Sequence, residues 1–169
     1  LLEHRLGNRP AGRAALAAGA AVVLAGLGWA SFQRCRDWRD SETLWSANIR
    51  AWPGVALAWS NRGLDRATRG NREGARSDFA QAVALDPFDA IALNNLGTGF
   101  LEAGDPASAR RWFDRSLEVD PRLASAGRNR GSLSAREGDP AAALRDLAEA
   151  VRLDPADPAA RMARAVLLE

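Results

Sequence analysis

The sequence predicts an all-α fold: a solenoid of helix-turn-helix repeats preceded by an N-terminal transmembrane helix. Two observations predict it. A short phrase ending in Asp-Pro recurs every 34 residues, at 85–87, 119–121 and 153–155. Proline cannot continue a helix, so a proline at a fixed period marks the end of a repeated helical unit. The second observation is an uncharged, largely apolar run over residues 14–33, with arginines on both sides.

The charge pattern does not favour a nucleic-acid partner. All 23 basic residues of the 169-residue chain are arginine, 21 acidic residues are mixed among them, and the formal net charge is +2. Interleaved opposite charges are typical of solvated helix faces, whereas nucleic-acid sites gather basic residues into a stripe or patch. We therefore expect no nucleic-acid binding.

The sequence also predicts no catalytic residue, no metal site and no cofactor in this chain. Cys35 is the single cysteine and His4 the single histidine. This composition removes internal disulfides and multi-cysteine metal sites. The sequence has no phosphate-binding loop, dinucleotide fingerprint or nucleophile elbow. We expect a non-catalytic chain.

The apolar run of residues 14–33 is long enough to cross a bilayer. A helix rises about 1.5 Å per residue, so this run spans the roughly 30 Å of a hydrocarbon core. Residues 1–13 would then be a juxtamembrane segment, and Trp29 and Phe32 would lie in an aromatic belt. A cleavable signal peptide, leaving a mature N-terminus near Ser31, and a buried soluble helix are the alternatives. Because the chain does not begin with methionine, we expect it to be the C-terminal portion of a longer protein.

The 34-residue period divides the rest of the chain into units. They cover 56–89, 90–123 and 124–157, and residues 158–169 would be a capping helix or a truncated fourth unit. Residues 37–55 read as a membrane-proximal helix in the place of the second helix of a half unit. A single helical hairpin cannot bury its apolar face, so the units are expected to stack.

Each unit reads as two helices joined by a glycine. The first helix, about 57–69 in the first unit, ends at a glycine that would act as its C-cap. The second helix begins at an asparagine or aspartate, which are good N-cap residues. The glycines are Gly70, Gly104 and Gly138, and the N-caps are Asn71, Asp105 and Asp139.

These units resemble the tetratricopeptide repeat (TPR), which has a 34-residue period. The second unit is the best match, with Gly97, Ala109, Phe113 and Pro121 at positions 8, 20, 24 and 32. The third unit is degenerate, because Gly127 and Arg130 stand where bulky apolar residues belong. The resemblance implies a superhelix whose first helices line a concave wall.

The junction between the apolar run and the repeats resembles a family of polytopic TPR membrane proteins that includes the transmembrane O-mannosyltransferases. The resemblance rests on residues 38–45 after the apolar run, Pro53, and repeats that open with residues 58–63. In that family the repeats follow the last membrane helix and face away from the cytoplasm. The resemblance therefore implies a periplasmic or lumenal TPR region, with any catalytic part upstream of Leu1.

One column of the first helices is a candidate binding site. Asn61, Asn95 and Asn129 occupy position 6 of three successive units. An asparagine amide both donates and accepts hydrogen bonds, so a ladder of them would hold an extended peptide backbone. The column resembles the asparagine ladder in the TPR domain of O-GlcNAc transferase. The alternative is that these amides satisfy local helix–helix hydrogen bonds.

Under TPR geometry the same concave wall would carry further polar side chains. The two arginines among them would favour an acidic ligand. The additional predicted residues are Asn94, Thr98, Arg128, Ser132 and Arg136.

The favoured hypothesis is a non-catalytic TPR module, tethered to a membrane by residues 14–33, that binds an extended peptide of another protein in its concave groove. One alternative is the accessory C-terminal region of a membrane glycosyltransferase of the O-mannosyltransferase type. The second alternative is an exported soluble TPR protein behind a signal peptide.

Overall fold

The computed structural model describes residues 10–37 and 40–168, and this part of the chain is helical with no strand. The helices are α1 Pro10–Asp37, α2 Ser41–Ala51, α3 Ala56–Thr68, α4 Arg72–Leu85, α5 Ala90–Glu102, α6 Pro106–Val119, α7 Ala124–Arg136, α8 Pro140–Leu153 and α9 Pro158–Val166. The chain divides after Leu44 into two compact units. Most of the predicted juxtamembrane segment 1–13, and Trp38 and Arg39 of the predicted helix 37–55, lie outside the described residues.

The helix α1 contains the predicted membrane span. Ala14–Phe32 has a mean hydropathy of 1.8, and its side chains are exposed. By length and composition this helix could cross a membrane, a property that signal sequences and some soluble core helices share. The ring centroids of Trp29 and Phe32 lie 6.1 Å apart near its C-terminal end.

The first helices of the hairpins, α3, α5 and α7, end in the same way. Gly70, Gly104 and Gly138 have φ angles of 81°, 79° and 84°, a left-handed conformation that glycine adopts without steric cost. At the first of these ends, Asn71 N–H donates to Arg66 O at 2.8 Å and Gly70 N–H donates to Ala67 O at 3.0 Å. This pair of bonds is a Schellman motif, and it recurs at the other two glycines. The predicted C-caps are confirmed.

The second helices, α4, α6 and α8, begin with the predicted N-caps. Asn71, Asp105 and Asp139 each accept a hydrogen bond from the backbone N–H three residues later, at 3.0, 2.9 and 2.9 Å. Each cap satisfies one of the backbone donors that a helix start leaves without a partner. The glycine and the cap therefore fix the turn between paired helices.

The aspartate of the Asp-Pro phrase builds the turn between successive units. The carboxylates of Asp86, Asp120 and Asp154 each accept a hydrogen bond from the backbone N–H two residues on, at 3.0, 2.9 and 3.1 Å. Asparagine and aspartate commonly stabilise turns through such a bond. One period upstream, Val55 N–H donates to Trp52 O at 3.2 Å, so the backbone turn persists without the carboxylate.

A second glycine column sets how closely paired helices approach. A methyl group at Gly63 would lie 2.7 Å from the Phe79 ring, and one at Gly97 would lie 2.6 Å from the Phe113 ring. These separations are well below van der Waals contact, so only glycine fits while the buried rings keep their places. Phe79 and Phe113 therefore pack directly against the backbone of the first helices.

The apolar core runs across the unit boundaries. One buried cluster joins the second helix of the first unit to the first helix of the second, and it includes Phe79, Leu93 and Leu96. A second cluster of Ala109, Phe113 and Leu133 continues it into the third unit. Each hairpin therefore buries its apolar face against the next one, as a solenoid requires.

An arginine–aspartate pair replaces an apolar pair in two of the three units. In the second unit this pair is Leu96, which belongs to the buried core, and Trp112, which is partly buried and packs against that core. In the third unit the corresponding residues are Arg130 and Asp146, whose two hydrogen bonds are both 2.7 Å long. Bidentate pairs of this kind are among the stronger charge-assisted hydrogen bonds. The hydrogen bonds to Asp146 raise the pKa of the Arg130 guanidinium above its ordinary value. The polar residue in the degenerate unit thus has a full set of partners.

The same pair in the first unit joins α3 to α4, and the same arginine also contacts α2. Arg62 binds Asp78 through bonds of 2.9 and 2.7 Å, and it also donates to Ser46 Oγ of α2 at 3.2 Å. In the third unit the third contact of Arg130 is to Asp114 of α6 at 2.9 Å, two periods after Ser46. The contact between Arg62 and Ser46 therefore corresponds to the contact between Arg130 and Asp114.

We predict opposite effects for alanine at two glycines of the first helices. Gly97→Ala forces a methyl group into Phe113 and should destabilise the fold by about 1–3 kcal/mol. Gly127→Ala has room, since its nearest neighbours would be 3.6 and 3.8 Å away. It should stabilise the helix by about 0.5–1 kcal/mol, because glycine in a helix interior loses more backbone entropy than alanine. Urea denaturation measures both, and equal effects at the two sites would contradict the packing described here.

We also predict strong coupling between Arg130 and Asp146. Arg130→Leu leaves the half-buried Asp146 carboxylate without its partner, and Asp146→Trp leaves Arg130 with Asp114 alone. Each single change should cost about 1–3 kcal/mol. The double variant restores the apolar pair of the second unit and should return to within about 1 kcal/mol of the wild type. A double-mutant cycle by urea denaturation provides the measurement. Additive losses would show that the pair does not act as a unit.

Candidate functional site

The first helices carry a surface that faces away from the second helices. Positions 4, 7 and 8 of each first helix meet the second helices, as the contacts of Gly63 and Gly97 and the ion pairs of Arg62 and Arg130 show. A helix turns about 100° per residue, so positions 2, 6 and 9 lie on the opposite side. We call this side the first-helix surface. It contains Leu57, Asn61, Leu64, Ile91, Asn95, Thr98, Ser125, Asn129 and Ser132.

The structure brings several of the predicted site residues into one polar network between α5 and α7. Asn129 Nδ2 donates to Asn94 Oδ1 at 2.9 Å and lies 3.4 Å from Thr98 Oγ1. Asn94 Nδ2 lies 3.5 Å from Asn95 Oδ1, at the limit of a hydrogen bond. Asn94 itself is buried, whereas Asn95 and Asn129 are partly exposed. The amide of Asn129 therefore serves a local helix–helix contact and still reaches the surface.

Three predicted residues lie on this side of the first helices outside the network. Asn61 and Ser132 are partly exposed and Arg136 is exposed. Within residues 10–37 and 40–168, the structure shows no side-chain hydrogen bond or ion pair for any of the three. Their polar groups are available to a ligand.

Arg128 is committed to a partner within the chain. Its Nη1 donates to Asp157 Oδ2 at 2.7 Å, and Asp157 also caps the N-terminus of α9 by accepting from Ala159 and Ala160. Burial acts to raise the pKa of Asp157, but these backbone hydrogen bonds and Arg128 together hold that pKa below its ordinary value. The predicted preference for acidic ligands therefore depends on Arg136 more than on Arg128.

Sequence reasoning missed the apolar part of the same surface. Leu57, Leu64 and Ile91 lie on the first-helix surface of the first two units and are 62%, 43% and 57% exposed. Large exposed apolar side chains grouped on one face are typical of binding surfaces. The signal was present in the sequence, since Leu57 and Ile91 occupy position 2 at the 34-residue period.

The surface combines hydrogen-bonding groups with apolar side chains. Amide and hydroxyl groups from three units supply hydrogen bonds, and leucine and isoleucine side chains supply apolar contact. Among the residues that the structure describes, no group of three or more His, Cys, Asp or Glu side chains is placed to hold a metal ion.

Comparison with known families agrees with this geometry. Two family models described as Tetratricopeptide repeat match residues 60–125 and 96–168. Residues 60–168 are a tetratricopeptide repeat array. No protein of curated function matches the sequence.

Solved TPR structures share this fold at low sequence identity. The first TPR of Spaghetti (RPAP3), bound to the HSP90 peptide SRMEEVD, is 16% identical, with a TM-score of 0.63 over 67% of this chain and 90% of that one. The second TPR domain of human RPAP3, in complex with the HSP70 peptide SGPTIEEVD, is 19% identical, with a TM-score of 0.61 over 68% and 95%. MamA is 16% identical, with a TM-score of 0.67 over 80% and 79%. The array is thus similar in fold to TPR domains that bind peptides.

Proposed function

We propose that this chain is a membrane-tethered TPR module that binds an extended peptide of a partner protein across its first-helix surface. The observation that carries the proposal is the composition of that surface. Asn61 and Asn95 present partly exposed amides one period apart, next to the exposed side chains of Leu57, Leu64 and Ile91. Main-chain hydrogen bonds to the amides would hold the peptide, and the apolar residues would select its side chains.

The polarity of the surface changes along the array and suggests how the peptide lies. The exposed apolar residues belong to the first two units, whereas Arg136 belongs to the third. A peptide with apolar side chains at one end and a carboxylate at the other would complement this order. The TPR neighbours that bind peptides ending in Glu-Glu-Val-Asp support a ligand of that type.

The test uses peptides selected on the wild-type chain from a displayed library of random nonapeptides. The variant Asn61→Ala/Asn95→Ala/Asn129→Ala should bind them about a hundredfold more weakly, at about 1 kcal/mol for each lost amide. Gln81→Ala serves as the matched control, because it removes an exposed amide from the second helix α4. Fluorescence anisotropy measures binding and circular dichroism measures the melting temperature.

The same variants separate peptide binding from a purely structural role of the asparagines. Asn129→Ala alone removes the donor to buried Asn94 and is expected to lower the melting temperature. If the triple variant melts earlier but each folded molecule binds peptide as well as the wild type, the asparagines are structural and the proposed surface is wrong.

For the membrane tether we propose α1, with the repeats on the extracytoplasmic side. Its support is the apolar segment Ala14–Phe32, with arginines before and after it in the sequence. The chain should remain in the membrane fraction after alkaline carbonate extraction, and a variant lacking residues 14–33 should be soluble. Release of the intact chain by carbonate would rule out the tether. A mature N-terminus near Ser31 would identify the exported, signal-peptide alternative.

A second candidate is the accessory region of a membrane glycosyltransferase, with the repeats presenting acceptor protein to an upstream active site. The observation that favours it is the direct succession of an apolar helix, the short helix α2, and the repeats. The coding sequence upstream of Leu1 tests it. Further membrane spans with an acidic catalytic loop support this candidate, and a start codon immediately upstream excludes it.

A further inference from the structure

A pocket opens on the side of α7 opposite the first-helix surface. It has a volume of about 480 Å³ and lies between α6, α7 and α8. Leu117, Leu123 and Leu153 supply apolar lining, together with Pro121, and Gly127 lies in its wall. Since Gly127 is two residues from Asn129, the two positions are about 200° apart around the helix. The pocket is therefore separate from the surface proposed above and does not depend on it.

The corresponding place in the first unit is filled by a side chain of the chain itself. Trp59 lies 68 residues before Gly127 and packs against the core cluster. Its Nε1 donates to Pro53 O at 2.9 Å, and the guanidinium of Arg62 lies 5.0 Å from its ring centroid. In the second unit Leu93 occupies this place and is 1% exposed. In the first two units this place is therefore occupied by a large apolar side chain.

The third unit has counterparts of the residues around Trp59, but it has glycine in the position of Trp59 itself. Pro121 stands where Pro53 does, and Arg130 stands where Arg62 does, two periods later. Gly127 has no atom within 3.6 Å of the place its Cβ would take. The contacts that hold the Trp59 indole, a proline carbonyl and an arginine guanidinium, therefore have counterparts around an open pocket.

The rim of the pocket is more acidic than the rim around Trp59. Asp114, Glu118 and Glu149 line it, where the first unit has Ser46, Arg50 and Gln81. Each of these carboxylates is paired: Asp114 with Arg130 and Glu118 with Arg115, both at 2.9 Å, and Glu149 with Arg152 at 2.5 Å. The pairs of Glu118 and Glu149 are exposed, and surface pairs contribute little. The hydrogen bond from Arg152 holds the pKa of Glu149 below its ordinary value. A cationic group beside the pocket would be favoured.

We propose that this pocket binds a tryptophan or phenylalanine side chain of a partner peptide that carries arginine or lysine within two residues of it. The ring enters beside Gly127 and takes the place that Trp59 has in the first unit. An indole N–H can donate to the Pro121 carbonyl, and the flanking basic residue faces Glu118 and Glu149. The side of α7 opposite the first-helix surface is then a second recognition site.

The test is a peptide selection on a chain whose first-helix surface has lost its asparagines, so that the selected peptides bind elsewhere. A displayed library of random nonapeptides is selected on the full chain carrying Asn61→Ala, Asn95→Ala and Asn129→Ala. It is counter-selected on the same chain with Gly127→Leu added. Leucine restores the residue type of Leu93 and fills the pocket, and the ordinary contact distances at Gly127 predict that it folds. A melting curve by circular dichroism verifies folding.

The expected result is enrichment of an aromatic residue next to arginine or lysine. A selected peptide should bind the Gly127→Leu chain at least about tenfold more weakly, and Glu118→Gln/Glu149→Gln should weaken it about threefold. Peptides without this pattern, or peptides that bind the Gly127→Leu chain equally well, would overturn the proposal. So would self-association of the wild type that Trp52→Ala abolishes, because the occupant would then be a second copy of this chain, whose Trp52 is 66% exposed.

Discussion

The contact between a glycine of the first helix and a large side chain of the second sets the geometry of every hairpin. A Cβ at Gly97 would lie only 2.6 Å from the ring of Phe113, and Gly63 makes the same close contact with Phe79. Paired helices can then approach closely enough to bury their facing residues, but a lone hairpin leaves its outer apolar face exposed. Stacking covers that face, as the clusters across unit boundaries show.

One pair of facing positions in the hairpin accepts either two apolar side chains or an ion pair. Leucine with tryptophan fills it in the second unit, and arginine with aspartate fills it in the first and third. A bidentate pair offsets the cost of removing two charges from water, so the polar units keep the same backbone arrangement. The third unit therefore departs from the second at two positions. A charged residue, Arg130, replaces Leu96, and Gly127, which has no side chain, replaces Leu93.

The two sides of the first helices have different uses in the proposals above. One side presents amides and exposed apolar residues from successive units, which suits an extended chain that runs across them. The other side packs mostly against second helices. Of the corresponding positions Trp59, Leu93 and Gly127, only Gly127 borders an open pocket. A repeat array can carry both kinds of site, because each unit keeps its fold while single residues vary.

The sequence by itself determined the helical hairpins, their 34-residue period and their caps, because glycine, proline and N-cap residues act on the backbone within a few residues of themselves. It also placed the asparagine column on one helix face. Tertiary structure alone decided which polar groups pair: that Arg128 is held by Asp157, that Asn129 bonds Asn94, and that Arg130 is satisfied by Asp146. Partners separated by 16 to 35 residues meet through packing between helices, which no local pattern encodes. The pocket at Gly127 also depends on the tertiary structure. A position without a side chain leaves a pocket only if the surrounding residues do not shift to fill the space.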